Sequence, residues 1–285
     1  MSHPNCNHWS RTVAAGLLLL GAASGPASAA GPFLGRAESF AVLGATPKVT
    51  NTGATTINGD VGIYPASAIT GMGTITLIGA STYQIGNALA KGAQADATTA
   101  FNILAALPST MDLTGKDLGS VGVLTPGVYS FSSSAQLTGT LTLNFAGASN
   151  QEFVFQTGST LTTASASDVI VENGNATDGV FWEVGSSATL GTTTDFAGNI
   201  IALTSISLNT GAEILCGRAI ALNGEVTMDS NKISNNCSTY NAGTGRTDFG
   251  STGFSKVPEP GSLTLLGIGI AGLGLGALRR RNRKA

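Results

Sequence analysis

The sequence predicts a mostly β fold, a β-solenoid with one long α-helix packed alongside, and three observations lead to it. The first is a repeat: FVFQTGST (153–160), WEVGSSAT (182–189), IIALTSIS (200–207) and IALNGEVT (220–227) share one frame. Each opens on a large apolar residue and closes seven positions later on Thr or Ser, followed at once by Leu161, Leu190, Leu208 or Met228. The steps between the closing hydroxyls are 29, 18 and 20 residues. Recurrence in this range is the mark of units that cannot bury their apolar side alone and therefore stack. The second observation is a set of short β-branched runs broken by Gly, Asn and Pro, such as VTNTGATTINGDVGIYP, which read as strands and tight turns. The third is a single amphipathic stretch between two strand-rich regions.

Taken in order, the first 29 residues read as an export signal, with Arg11 in the charged lead, an apolar run over 13–23 and the small-residue cleavage site Ala27-Ser28-Ala29. Strands follow over 40–80. Ile85, Ala88, Leu89, Gly92, Ala93, Ala97, Ala100, Phe101 and Leu104 then form a helical stripe with Asp96 as the one exception. This spacing predicts a helix over about 84–107, ended by Pro108. About 22 helical residues extend about 33 Å, the height of about seven rungs at about 4.8 Å per strand. Strands resume in GVYSFSSS and LTGTLTLNF and continue through the framed repeats, so residues 30–248 form one solenoid domain and 249–256 a flexible spacer.

If the repeats stack in register, alternation along each strand sends Leu161, Leu190, Leu208 and Met228 inward and turns Thr160, Thr189, Ser207 and Thr227 outward. Trp182 is expected in the core of its rung.

Composition excludes several classes of function. From residue 30 to 256 there are eight Lys plus Arg against fifteen Asp plus Glu, a net charge of −7 that repels nucleic acid. Both histidines, His3 and His8, leave with the export signal. The mature body therefore lacks the commonest general base and the commonest zinc ligand, and no catalytic residue, metal or cofactor is expected. Cys216 and Cys237, 21 residues apart and so about one rung, are expected to form a disulfide in an oxidising compartment. A catalytic thiol would lack a His partner. Asp60, Asp168, Asp195 and Asp229 are isolated along the chain. A polysaccharide-cleaving enzyme would need two of them as neighbours.

The C-terminus carries Val257-Pro258-Glu259-Pro260, an uncharged stretch over 262–278 and the basic cluster Arg279, Arg280, Arg281, Arg283 and Lys284. Seventeen residues sit at the short limit for a transmembrane segment, with the basic end cytoplasmic. The order VPEP, apolar span, basic tail resembles the PEP-CTERM sorting signal. That resemblance implies a membrane sorting transpeptidase as partner during export, and release or surface attachment afterwards.

At LGRAESFAVLGATPKVTNTGATTINGDVGIYP, the Ala-rich helix and VFWEVGSSATLGTTTDFAGNIIALTSISLNTGAEI, the chain resembles the microbial ice-binding protein family over about 33–237. The resemblance implies a right-handed, discontinuous β-solenoid beside its helix, no cofactor, and a flat face of Thr-x-x-Thr-like segments that engages ice or ordered water. The matching positions run from Thr160 through Thr162 to Thr163, from Thr189 to Thr192, from Ser207 to Thr210 and from Thr227 to Ser230. Asp229, Ser207 and Ser230 depart from the pattern. The expected function is that of an exported monomer that inhibits ice growth or recrystallisation. The alternative is a surface or matrix protein associated with exopolysaccharide.

Overall fold

The computed structural model describes residues 34–174 and 177–236. Their strands form three parallel ladders, faces a, b and c, and each turn of chain contributes one strand to each except the turn over 111–124, which meets face b only through the single bridge of Asp117 to Gln136. Face a runs, in spatial order, through Tyr83–Ile85, Asp60–Ile63, Phe40–Gly44, the second halves of Glu213–Ala221 and Asp195–Ala202, then Gly179–Val184, Glu152–Thr157, Gly127–Phe131 and Met111–Asp112. Face b runs through Ala135–Leu137, Leu161–Thr163, Ala188–Leu190, Ile206–Leu208, Val226–Asp229, Val49–Thr52 and Ile69–Thr70. Face c runs through Val123–Leu124, Thr140–Asn144, Asp168–Glu172, the first halves of Asp195–Ala202 and Glu213–Ala221, then Lys232–Ser234, Thr55–Asn58 and Ile75–Ile78. The architecture is the β-solenoid expected from the repeat.

The stack is discontinuous. Residues 40–58, early in the chain, pair with strands that end at Ser234: Val42 with Ala219, Thr50 with Thr227 and Thr56 with Lys232. The early turns therefore occupy one end of the stack and the turn over 111–124 the other. The chain has to travel back along the column between them, and the helix makes that journey.

Inward side chains from all three faces share one core, which includes Val49, Phe155, Leu161, Trp182, Leu190, Phe196, Leu208, Met228 and Ile233. Trp182 lies at its centre as expected, fully buried and stacked on Phe155 of the next rung at 4.0 Å and 11°. Phe196 tilts against it at 4.9 Å, and the indole nitrogen donates to the Ala197 carbonyl at 3.0 Å. Burying a side chain of this size stabilises by about 1.5–3 kcal/mol, and satisfying its N–H avoids the cost of an orphaned donor.

The helix is Ala88–Ala105, 18 residues, shorter at its start than the stripe suggests. Ile85 belongs to a strand that pairs with Asp60–Ile63, and Asn87 caps the helix by accepting from the Ala90 amide at 2.9 Å. Its length is then about 27 Å. A second core fills the space beneath it: Ala90, Ala93, Ala97, Ala100 and Leu104 lie on Val128, Val154, Phe181, Ile201, Ile220 and Leu43. Those six come from six successive rungs of face a. Asp96, the exception in the stripe, faces the segment that precedes the first strand. It accepts from the Arg36 Nε at 3.0 Å and from the Arg36 amide at 2.8 Å, and the guanidinium holds its carboxyl below the usual range. Arg36 then lies across Gly92, where an added Cβ would come within 2.3 Å of Nη1.

Two amides rivet the helix to the sheet. Gln94 Nε2 donates to the carbonyls of Gly44 (2.9 Å) and Ala221 (3.1 Å). Gln156 Nε2 caps the other end at the carbonyls of Leu104 (2.7 Å) and Leu107 (2.8 Å). Beside Gln156, in register, lies Glu183, 6% exposed. Burial pushes its carboxyl up from the ordinary 4.5 to about 7.

Two expectations follow from this packing. Ala97→Lys forces a long cation under the helix and should lower stability by about 3 kcal/mol, whereas Ala95→Lys on the exposed side should change it little. Thermal melts of the two variants compare them directly. For Glu183, the folded state holds the proton more tightly than the unfolded chain. Stability is therefore fully present below about pH 4.5 and falls as pH rises to about 7. Glu183→Gln should match the wild type at pH 4 and exceed it at pH 8 by on the order of 2 kcal/mol, read as a difference in melting temperature across a pH series.

Candidate functional site

Of the three faces, a is covered by the helix and c is charged. The outward column of face c reads Thr140, Asp168, Asp195, Glu213, Lys232, Thr56 and Thr76, each the register partner of the next. Face b differs. Its outward column reads Gln136, Thr162, Thr189, Ser207, Thr227, Thr50 and Thr70, again in unbroken register. Six consecutive rungs present a hydroxyl residue and none presents a charge. Strand alternation puts the flanking residues of each rung inside: Ala188 and Leu190 are 1% and 0% exposed, Ile206 and Leu208 0% and 2%, Val226 and Met228 0% and 2%.

Register shifts interrupt the strands of faces a and c, between Phe40 and Val42 and between Phe196 and Ala197. Along face b no shift is recorded. At Thr50 the Oγ1 is buried.

The expected column is therefore present, with corrections. Thr189, Ser207 and Thr227 stand in it as predicted. Thr160 does not, because Leu161 pairs with Ala188 rather than Leu190 and the first repeat is displaced by two residues. Phe155, not Phe153, is level with Trp182. The displacement preserves parity, so Leu161 still points inward at 0% exposure. Thr162 takes the column position, while Thr160 falls in a flanking row and donates to Ser134 Oγ at 2.9 Å. The fourth repeat also opens one residue late: Ile200 pairs with Ala219, and the longer turn over 222–225 absorbs the difference.

Thr163 is turned inward and is 3% exposed. It belongs to the corner between faces b and c, where its Oγ1 accepts from the Gly191 amide at 2.8 Å and lies 2.8 Å from Thr194 Oγ1. Thr192, Thr210 and Ser230 are exposed at the same corner, beyond the strands. Thr210 Oγ1 donates to Asp229 Oδ2 at 2.5 Å and Ser230 Oγ to Asp229 Oδ1 at 3.1 Å. These two hydroxyls thus hold the carboxylate that departs from the pattern.

Thr50 and Thr70 were not among the sequence-predicted residues, since they precede the helix and carry no trace of the late frame. Asp168 and Asp195, isolated along the chain, prove to be register partners on face c. Asp168 is half-buried, with its Oδ1 buried, and Asp195 is exposed; their neighbour Glu213 is paired with Lys232 at 2.7 Å. Cys216 is buried at 1% exposure; Cys237, the export signal, Val257-Pro258-Glu259-Pro260 and the apolar stretch over 262–278 lie outside the described residues. Among the described residues no helix is long and apolar enough to cross a membrane.

With this geometry in hand, comparison with known proteins is specific. A PEP-CTERM protein-sorting motif matches residues 256–281, which marks the chain as an exported or cell-surface protein served by a sorting system. An ice-binding protein of Nostoc sp. (strain HG1) is 52% identical over 252 residues, covering 88% of each chain. An ice-binding protein of Flavobacterium frigoris (strain PS1) is 30% identical over 215 residues, covering 70% of this chain and 75% of that one. Among solved structures, an ice-binding protein from an Antarctic biological consortium superposes with a TM-score of 0.66 at 40% identity, over 71% of this chain and 90% of that one. The ice-binding protein of the Antarctic ascomycete Antarctomyces psychrotrophicus gives the same TM-score and identity over 71% and 97%. The Ice-binding-like family matches residues 43–234, and the chain belongs to that family.

Proposed function

We propose that this protein binds ice through face b and thereby slows ice growth or recrystallisation outside the cell. The observation that carries the reading is the register of Thr162, Thr189, Ser207, Thr227, Thr50 and Thr70 on the one face that is neither covered nor charged. Strand pairing repeats the column every ~4.8 Å. A second row of hydroxyls, Ser134, Thr160, Ser187 and Ser205, precedes the strands of four rungs and extends the array sideways. Apart from Thr50, whose Oγ1 is buried, each Thr offers a hydroxyl that hydrogen-bonds surface water and a methyl that leaves adjacent water caged, and its stiff χ1 keeps both in place. Single contacts of this kind are weak, so adsorption depends on many of them being positioned before binding.

The pairing of Asp229 with Thr210 and Ser230 supports the same reading, because it engages that carboxylate within the protein; two further carboxylates border the face, Glu225 continuing the row of Ser134, Thr160, Ser187 and Ser205 and Asp117 bridging Gln136 at the end of the column. The exopolysaccharide alternative has less behind it. Sugar sites use aromatic platforms, and the exposed large apolar side chains among the described residues are aliphatic: Ile85, Leu89, Ile103, Met111, Val123 and Leu203. A catalytic role is not part of the reading. Asp168 and Asp195 adjoin each other on a sheet surface, whereas glycosidic cleavage places its two carboxylates on either side of the bond.

The processing scheme belongs to the same proposal: removal of residues 1–29, a spacer over 249–256 and a membrane-spanning stretch over 262–278. A Cys216–Cys237 disulfide completes it, supported by the burial of Cys216 and by the departure of Cys6 with the leader. Closing a loop of this size stabilises by about 3 kcal/mol in the chain-entropy model.

Thr189 sits on a central rung of face b. Thr189→Tyr should abolish inhibition of ice recrystallisation with a melting temperature within a few degrees of the wild type, because the ring lifts the face off the ice without touching the core. Full activity in the folded variant would place the binding surface elsewhere.

A further inference from the structure

On three successive rungs of face b the inward residue that follows the column residue is aliphatic: Leu190 after Thr189, Leu208 after Ser207 and Met228 after Thr227. One rung further out the row changes character. The residue after Thr50 is Asn51, level with Met228 and 6% exposed. A polar side chain at a core position is costly unless its hydrogen-bonding groups are engaged. Those of Asn51 are: Nδ2 donates to the Gly53 carbonyl at 3.0 Å and to Thr74 Oγ1 at 2.9 Å, and Oδ1 accepts from Thr55 Oγ1 at 2.6 Å. The buried Thr55 Oγ1 in turn accepts from the Asn231 amide at 3.1 Å, and Asn231 Nδ2 donates to the carbonyls of Asn209 (2.9 Å) and Ala212 (2.8 Å). A buried polar chain therefore runs along the corner between faces b and c, from Asn209 at the end of the Ile206–Leu208 rung out to Thr74.

The rung that Asn51 reaches has little of its own to hold it. Its face b strand, Ile69–Thr70, has two residues and a neighbouring strand on one side only. Ile69 is half-buried, Thr70 is exposed, and Thr70 Oγ1 reaches only the Val49 carbonyl, at 3.5 Å. The next position is Gly71, which brings no side chain to the core. It could not carry one, because its φ is +77° and an added Cβ would collide with the Asn51 carbonyl oxygen. Before the strand, the Val49 amide holds the Ala68 carbonyl at 3.1 Å. After it the hold is Thr74, whose Oγ1 donates to the Gly71 carbonyl at 2.9 Å, across the 3-10 turn Met72–Thr74, while accepting from Asn51.

We infer that Asn51 is a positioning residue for ice binding: acting through Thr74, it clamps the chain after Thr70 and keeps Thr70 level with Thr50 and Thr227, so that the array has six hydroxyl rungs instead of five. This rests on the reading of face b as the ice-binding surface. Asn51 itself lies behind the plane of the face and meets no ice. Its polarity at a position that is aliphatic on the three preceding rungs is explained by the rung beyond it, where Gly71 offers nothing apolar to pack against.

The bond can be broken from either end in the full-length chain. Asn51→Leu continues the aliphatic row at nearly constant volume, and Thr74→Val removes the acceptor from an exposed residue, so it tests the bond even where Asn51→Leu fails to fold. Thr74→Ser keeps the hydroxyl. In the first two variants hydrogen exchange over 69–74 should quicken about tenfold with no change around Thr189, the mark of local release. The concentration needed for half-inhibition of ice recrystallisation should rise about fivefold, the size of one weak contact. Thr74→Ser should match the wild type in both. Unchanged exchange over 69–74 in a folded variant would overturn the inference, and so would faster exchange with undiminished ice activity. A fully active Thr189→Tyr chain would instead defeat the reading of face b beneath it.

Discussion

In-register parallel stacking is the constraint on which the rest of this structure depends. No turn of the chain can bury its own apolar residues, so each takes its stability from the turns above and below it. The stack of Phe155 on Trp182, with Phe196 against it, shows the coupling at its most direct. Because side chains alternate with period two, a slip of one residue would exchange the inside and outside of a rung. A slip of two preserves the core, and this is what separates the first framed repeat from the others: Leu161 remains inside while Thr162 replaces Thr160 in the column. Core burial therefore fixes the parity of the outward positions but does not by itself choose which residue stands in the column.

Discontinuity follows from placing the early turns against the late ones. A continuous solenoid would leave the early and late strands exposed at opposite ends; here Phe40–Gly44, Val49–Thr52 and Thr55–Asn58 close onto the strands around Ala219, Thr227 and Lys232. The helix is the necessary return path, and its small residues let its backbone settle on six rungs of face a. This closure has a functional consequence, because it lengthens the hydroxyl column by two rungs, Thr50 and Thr70, from a part of the sequence with no resemblance to the late repeats.

The three faces come from one periodic chain but are set apart by what each carries outward. Apolar outward residues on face a require a cover and receive the helix. Charged residues on face c, Asp168, Asp195, Glu213 and Lys232, keep that side solvated. Face b has neither feature in its outward column, and at its corner toward face c polar groups are satisfied within the protein: Thr163 and Thr194 serve the corner backbone, while Thr210 and Ser230 serve Asp229. A surface whose edge groups already have partners can present its centre to water as a regular array.

The fold class, the presence of one helix and the identity of three column residues were legible in the sequence, because alternation, the helical stripe and the spacing of Thr189, Ser207 and Thr227 are local properties of the chain. Trp182 was legible as core for the same reason. Asp96 looked anomalous only because its partner, Arg36, lies sixty residues away. The helix start was misjudged because Ile85 fits a helical stripe and an edge strand equally well, and only its pairing with the strand Asp60–Ile63 decides between them. Tertiary structure alone decided that Thr163 faces inward, that Thr50 and Thr70 join the column and that Asp168 stands beside Asp195. Each depends on which rung lies next to which, and strand pairing between distant segments leaves no periodic trace in either of them.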